Sequence, residues 1–359
     1  MRRLLGNRVL EGLATPHGVS RYLEAIHPLW SLEGGRALVI STHPETPDTV
    51  TLTLRPDHRW VGFRSGQHVR IGVEIAGTLR TRTYSVSSSE HREDGCFTIT
   101  VRRKEGGLVS GHLVTEVDAG QVVSCSAATG EVTLPDRRPD RLVLISGGSG
   151  ITPMASMLRT LADEQHPGRV TFVHYARTHD DVAFAADLDR IADAAPNLEV
   201  AIVTTAAAPS RGLSGRFVPE HLDQLVPDHL EVPTFVCGPT GLVDAVEQHY
   251  EAGGAAQRLQ VERFTPPALQ QIAGPGEGVL RFAVSGRERE DDGRPLLDQA
   301  ESEGLTPEFG CRMGICHSCT SRKVAGGTID LRNGRRSDGV EEPIQLCVSV
   351  AAGDVVLDL

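Results

Sequence analysis

The sequence has no apolar run near the roughly 20 residues that a membrane-spanning helix needs, which excludes a helical span. It lacks an excess of positive charge: 36 Lys and Arg against 47 Asp and Glu leave a net charge of −11. That is the wrong sign for a protein whose main task is to neutralise nucleic-acid phosphates, so nucleic acid is excluded as a principal ligand. A secretory leader is not expected either. The opening MRRLLGNRVLEGLATPHG carries arginines but no seven-residue apolar core and no small-residue cleavage site. The seven cysteines (96, 125, 237, 311, 316, 319 and 347) are odd in number and four crowd the last 49 residues, unlike a secreted disulfide framework. A reducing cytoplasm is therefore the expected compartment. Aromatics are only 4% of the chain, whereas glycine supplies 38 of 359 residues. Against an average glycine content of about 7%, this favours tight turns and ligand sites lined by backbone.

At roughly 100 to 200 residues per domain the chain holds several domains. From Ala37 to Pro135, short β-branched runs (ALVIST, TVTLTL, HVRIGVEI, TYSVSS, CFTITVRR, QVVSCSA) recur at intervals of about ten residues, the cadence of a small antiparallel β-barrel. From Arg141 the rhythm becomes strand, glycine turn, helix, strand, which predicts parallel βαβ units and a doubly wound α/β domain. The segment 266–278, PPALQQIAGPGEG, reads as a linker. Beyond it a strand, a helix opened by Pro295, a cysteine-rich loop and late strands (TIDL, DVVLDL) predict an α+β domain of mixed β-grasp pattern. The expected limits are an extension at 1–36, a barrel at 37–137, an α/β domain at 138–265, the linker, and a last domain at 279–359. Within the extension Val19, Tyr22, Leu23 and Ile26 have helical spacing, so a short amphipathic helix packed on the barrel is expected.

Cys311, Cys316 and Cys319 read C-x4-C-x2-C, and Cys347 follows at a distance, the spacing that ligates a plant-type two-iron two-sulfur cluster. Three thiolates on one loop reach a compact cluster only if the backbone turns tightly, and GCRMGICHSCT supplies short residues and glycines for that. A four-thiolate zinc site usually pairs two short C-x2-C knuckles, and the longer gap fits it poorly. Cys96 and Cys125 fall in or beside predicted strands, where a buried thiol acts as a small hydrophobe.

Arg82-Thr83-Tyr84-Ser85 ends a barrel strand, and the segment from Val101, VRRKEGGLVSGHL, follows. Together they offer a cation for a phosphate, a ring to lie on a flat cofactor, a hydroxyl, and a glycine turn opening a helix whose free amides hold a pyrophosphate. Next, LVLISGGSGITPM places Gly147, Gly148 and Gly150 between an apolar strand and a helix, a second junction suited to pyrophosphate. Cys237-Gly238-Pro239 opens a third strand-to-helix turn, in which a buried structural thiol is the plain alternative reading of Cys237.

RTYS, GGLVS, GGSGITPM and CGPTG in this order resemble the ferredoxin-NADP reductase superfamily, here with a plant-type ferredoxin domain at the C-terminus, over about residues 37–359. The resemblance implies that Arg82, Thr83, Tyr84 and Ser85 bind flavin, with Val101 nearby and Ser85 next to the hydride-accepting nitrogen. It also implies that Gly107, Leu108, Val109 and Ser110 hold a pyrophosphate, favouring FAD over FMN. Thr152 and Pro153 belong at the nicotinamide end together with Gly148 and Gly150, and Cys237, with Gly238 and Pro239, lies beside the reactive carbon. Arg177, where an acid would favour NAD, fits the extra phosphate of NADPH better than NADH, and Arg216 is a second candidate for it. One departure is that stand-alone plant-type reductases end in an aromatic residue over the flavin, whereas this chain continues into another domain.

A nicotinamide gives two electrons as one hydride and a two-iron cluster takes one at a time, so the order of motifs implies a relay from NADPH through FAD and the cluster to an external one-electron acceptor. The expected acceptor is an oxygenase or desaturase. A fatty acyl-CoA desaturase ranks first through RYLEAIHPLWS, and reductases of ring and steroid hydroxylases share the same order. A redox-sensing protein without turnover is the competing class. The stretch from Glu277 onward carries fifteen acids and ten bases, suited to docking on a basic surface.

Overall fold

The computed structural model describes residues 29–30, 34–206, 213–264, 276, 278–309, 314 and 319–359. The expected N-terminal helix and most of the expected linker lie outside them. The chain divides into two compact units, Met1–Glu262 and Arg263–Leu359. No helix among the described residues is long and apolar enough to cross a membrane.

The first unit opens with six strands: β1 (Arg36–Thr46), β2 (Thr49–Pro56), β3 (His68–Ile75), β4 (Thr78–Ser85), β5 (Phe97–Arg102) and β6 (Val122–Cys125). They form one sheet in the order β4-β3-β6-β1-β2-β5, and a bridge between Val86 and Ile99 joins its two edges into a barrel. Alternation drives this: in β2, Leu52 and Leu54 are buried while Thr51 and Thr53, which alternate with them, are half-buried. Each such leucine contributes about 1.5–3 kcal/mol of burial. Ala76 and Gly77, with φ of 51° and 74°, make the tight turn between β3 and β4 and set the register that brings His68 opposite Ser85. Helix α1 (Leu108–Thr115) follows β5.

The second layer of this unit contains β7 (Arg141–Gly147), α2 (Ile151–Asp163), β8 (Arg169–Ala176), α3 (Ala185–Ala194), β9 (Leu198–Thr204), α4 (Pro219–Leu225), β10 (Thr234–Cys237), α5 (Thr240–Ala252) and β11 (Leu259–Glu262). The sheet is wholly parallel, in the order β11-β10-β7-β8-β9. Strand order reverses between β7 and β10, where doubly wound sheets open a ligand crevice. The sequence reading missed β11: four residues, LQVE, carry no apolar run, and pairing with β10 supplies their order.

Helix α2 is buried nearly all round because it is wedged between sheet and barrel. Ser156 Oγ donates to the Ser88 carbonyl at 2.6 Å. Arg138 bridges Glu90 at 2.7 Å and Glu164 at 2.6 Å, tying a barrel loop to the end of that helix. Glu45 of β1 accepts from the Phe184 amide at 3.0 Å.

The second unit contains β12 (Val279–Phe282), β13 (Arg287–Glu290), α6 (Leu296–Ser302), β14 (Thr320–Asp330), β15 (Arg336–Ser337), β16 (Glu342–Gln345) and β17 (Ser349–Leu357). The sheet order is β13-β12-β17-β14-β15, with β16 also on β14; only β12 and β17 pair parallel. β13, RERE, was invisible to apolar patterning because cross-strand charge, such as Arg281 to Glu288 at 2.9 Å, accompanies its pairing. Its core joins Leu280, Phe282, Leu296, Leu297, Leu346, Val348 and Leu357 with Cys319 and Cys347.

Candidate functional site

β4 places Arg82 and Tyr84 on one face and Thr83 and Ser85 on the other. Arg82 is exposed and Tyr84 half-buried against the barrel core. Burial pushes the Tyr84 phenol well above its ordinary pKa. Ser85 is 4% exposed and its Oγ has no hydrogen-bond partner, an orphaned hydroxyl that a flavin edge would satisfy. Val101 is fully buried in the barrel core, so its side chain serves packing.

Gly107 is the N-cap of α1. A Cβ there would stand 2.5 Å from Ser110 Oγ, which accepts from the Lys104 amide at 3.1 Å, so the turn is closed on itself and only glycine fits. The leading amides of a helix have no partner within it. A cavity of about 730 Å³ beside this helix start is lined by Arg103, Lys104, Gly107 and Leu108, donors that fit a pyrophosphate, and also by the carboxylates of Asp48, Glu105 and Glu116. Val109 faces the barrel core instead. Sequence reasoning quoted Arg103 and Lys104 without giving them a role.

At the reversal of the parallel sheet, Gly147 ends β7 and a short turn, Gly148–Gly150, leads into α2. A Cβ on Gly150 would lie 2.3 Å from the Cys237 carbonyl oxygen, and one on Gly238 would lie 3.1 Å from the Gly147 amide. The two turns therefore touch backbone to backbone. Thr152 is buried, its Oγ1 donating to the Ser149 carbonyl at 3.0 Å, and Pro153 sits beside it in the first turn of α2. A cavity of about 650 Å³ brings Gly148, Arg177, Arg216 and Pro239 together with Arg102 and Tyr175. Arg102, on the last residue of β5 and paired with Asp48 at 2.8 Å, was not foreseen. A further cavity, about 680 Å³, is lined by Arg92, Arg159 and Arg190, but Asp94 and Asp187 pair these cations and none of the expected residues reaches it.

Two residues absent from the sequence reading connect the barrel to the α/β layer. His68 is the strand partner of Ser85, and its Nδ1 lies 3.9 Å from Glu262 Oε1. Glu262 in turn is the strand partner of Cys237. Ser85 and Cys237, far apart in sequence, thus share one junction. Burial pushes the Glu262 carboxyl up to about 7. Burial, and then the Glu262 charge, push the fully buried Cys237 thiol well above its usual range. No short-range sequence signal marks His68 or Glu262.

In the second unit Cys319 precedes β14, and Cys347 lies in the short helical turn between β16 and β17. The Cys347 amide donates to Cys319 Sγ at 3.4 Å and the Gly314 amide to Cys347 Sγ at 3.3 Å. Amide donors aimed at two neighbouring sulfurs fit thiolate ligands of an iron–sulfur cluster. Cys311 and Cys316 lie outside the described residues.

Comparison with known proteins matches this division. Residues 37–134 match the oxidoreductase FAD-binding domain, 144–248 the oxidoreductase NAD-binding domain and 282–351 the 2Fe-2S iron-sulfur cluster binding domain. An NADPH oxidoreductase of Mycobacterium tuberculosis is 36% identical over 98% of this chain and 91% of its own length. The glycine betaine monooxygenase reductase subunit of Pseudomonas aeruginosa is 30% identical over 90% of this chain and 95% of its own. The NADH oxidoreductase HCR of Escherichia coli is 31% identical over 87% and 94%. Among solved structures, a phthalate dioxygenase reductase covers 90% of this chain and 97% of its own with a TM-score of 0.58 at 23% identity.

Proposed function

The chain belongs to the family of oxidoreductases that join FAD-binding, NAD-binding and 2Fe-2S domains, and from that premise we propose that it is the NADPH-dependent reductase component of an oxygenase or desaturase system. The observation that carries this reading is the row Ser85, His68, Glu262, Cys237, which joins barrel and nucleotide layer in a chain that also pairs Cys319 with Cys347. When bound, the flavin accepts the two electrons of a hydride and releases them singly, and the cluster relays single electrons.

The protein's own residues place these groups. In this reading Arg82 and Tyr84 hold the flavin and the Ser85 hydroxyl meets its edge, while the amides around Gly107, Leu108 and Ser110 take the pyrophosphate. Gly148 and Gly150 admit the nucleotide backbone, and Thr152, Pro153, Cys237, Gly238 and Pro239 wall the nicotinamide end. Cys237 acts as a neutral thiol surface, because a site that raises its pKa this far withholds a thiolate. Holding the two reacting rings in register is the main catalytic task, and no covalent nucleophile is needed.

Two exposed cations, Arg177 and Arg216, on the nucleotide cavity favour NADPH, whose extra phosphate needs a positive partner. The relatives' names divide between NADPH and NADH, so this preference rests on those two residues. The acceptor is a separate one-electron protein. A monooxygenase partner follows the relative from Pseudomonas aeruginosa, and a desaturase partner follows the RYLEAIHPLWS stretch, which lies mostly outside the described residues.

An anaerobic absorption spectrum before and after stoichiometric NADPH, compared with NADH, tests the proposal. Bleaching of both the flavin and the cluster bands, at lower NADPH than NADH, is expected. A colourless protein, or colour that neither nucleotide bleaches, overturns it.

A further inference from the structure

The turn that follows β14 carries a guanidinium held in an unusually fixed position beside the cluster cysteines. Asp330 closes the turn: its carbonyl accepts from the Gly334 amide at 2.8 Å and its Oδ1 from the Arg332 amide at 2.9 Å. The same carboxylate takes the Arg332 fork, Nε to Oδ1 at 2.9 Å and Nη2 to Oδ2 at 2.6 Å. A two-pronged pair of this kind removes most of the freedom of the arginine side chain. It leaves Nη1 to point elsewhere, and Nη1 donates to the Gly314 carbonyl at 2.8 Å.

Gly314 is held from both ends. Gln345 Nε2 donates to the same carbonyl at 3.0 Å, while the Gly314 amide donates to Cys347 Sγ at 3.3 Å. Its φ of +72° is one that side-chain-bearing residues rarely adopt, and a Cβ would meet Val348 Cγ1 at 2.8 Å and Arg332 Cδ at 3.0 Å. Leu331, between Asp330 and Arg332, donates its amide to the Val348 carbonyl at 2.8 Å, which ties the turn to the residue after Cys347. The Asp330 hydrogen bond, with smaller contributions from Cys347 and Cys319, holds the arginine above its ordinary pKa, so it stays charged.

We propose that Arg332 is a positioning residue that raises the potential of the iron–sulfur cluster, through its fixed charge beside Cys347 and Cys319 and through its hold on the Gly314 turn. The inference rests on the reading that Cys311, Cys316, Cys319 and Cys347 ligate the cluster. Reduction adds one electron and no proton to the thiolate-bound group. A cation at fixed distance stabilises the more negative state, and an amide aimed at a ligating sulfur does the same. Asp330 opposes part of this charge while it fixes the fork, so the two side chains act on the potential with opposite electrostatic sign.

The test uses the full-length holoprotein and three variants, Arg332→Gln, Arg332→Lys and Asp330→Asn, with the cluster's midpoint potential read by mediator titration and electron paramagnetic resonance. In Arg332→Gln the ratio of reduced to oxidised cluster at a set potential should fall about tenfold, a downward displacement of about 59 mV for a one-electron couple. Arg332→Lys keeps the charge and should recover part of that loss. Asp330→Asn should move the potential the other way. An intact cluster signal with an unmoved potential in Arg332→Gln, or a downward shift in Asp330→Asn, overturns the proposal. Should Arg332→Gln fail to assemble its cluster, the lysine and asparagine variants decide by the same signs. A parent protein without any cluster signal overturns the ligation reading instead, and is told apart by its spectrum alone.

Discussion

Cys237 and Glu262 are register partners at the ends of β10 and β11, and the carboxyl beside that thiol is held up to about 7 by burial. A carboxyl whose pKa is raised on folding binds more protons in the folded than in the unfolded chain, so stability falls as pH rises. The loss begins near the ordinary value of 4.5 and is complete above about 7. It is worth on the order of 3 kcal/mol. Thermal melts of the holoprotein between pH 5 and pH 8 should show this fall, and Glu262→Gln should flatten it. Parallel curves for the two proteins would remove Glu262 as the cause.

Loss of one cluster ligand should separate the two halves of the electron path. Cys347→Ser is expected to abolish the cluster's paramagnetic signal and nearly all reduction of a one-electron protein acceptor. Flavin bleaching by NADPH in a stopped-flow experiment should stay within about threefold of the parent, because Cys347 lies in the core of the second unit and the nucleotide site in the first. Undiminished delivery to the acceptor would contradict the relay.

Arg177 and Arg216 line the cavity of about 650 Å³ proposed above to take the nucleotide, and a hydrogen bond to a charged group is worth about 1.5–3 kcal/mol. Arg177→Ala should therefore lower kcat/KM for NADPH by about 10- to 100-fold and leave that for NADH nearly unchanged. Steady-state kinetics with both nucleotides checks this. An equal loss for both would mean that the arginine does not read the extra phosphate.

Arg138 bridges Glu90 and Glu164, and its guanidinium, largely buried, holds the Glu164 carboxyl down to about 2, chiefly by hydrogen bonding. Arg138→Ala leaves two carboxylates facing each other at the seam between barrel and α2. A destabilisation of about 1–3 kcal/mol is expected, lowering Tm by several degrees. Because the Glu164 carboxylate is stabilised above the ordinary value of 4.5 and loses that support as pH falls toward 2, the variant's deficit should shrink in acid. Calorimetry at pH 7 and pH 4 provides the check, and a deficit of equal size at both would assign it to packing.

Much of the site was legible because its chemistry is local. The C-x4-C-x2-C spacing is written in consecutive residues and needs no fold to be read, and Cys347 follows Cys319 across β14 to β16. Glycine turns at Gly107, Gly148 and Gly150 were readable for the same reason: a Cβ would stand 2.5 Å from Ser110 Oγ at Gly107 and 2.3 Å from the Cys237 carbonyl oxygen at Gly150, and Gly148 has a φ of +52°. Arg102, His68 and Glu262 carry no such mark. Their meaning depends on which strand lies beside which, and β11 itself was overlooked because four residues reading LQVE take their order from β10.

The amino-acid sequence by itself determined the kinds of layer and the glycine turns that open α1 and α2, since each follows from periodicity or spacing within one segment. Tertiary structure alone decided that Ser85 and Cys237 share a junction through His68 and Glu262, and that Arg332 reaches Gly314. The physical reason is that charge, burial and hydrogen bonding act over a few ångströms in space. Which residues come that close is set by sheet order and strand register, through hydrophobic burial summed over the whole chain.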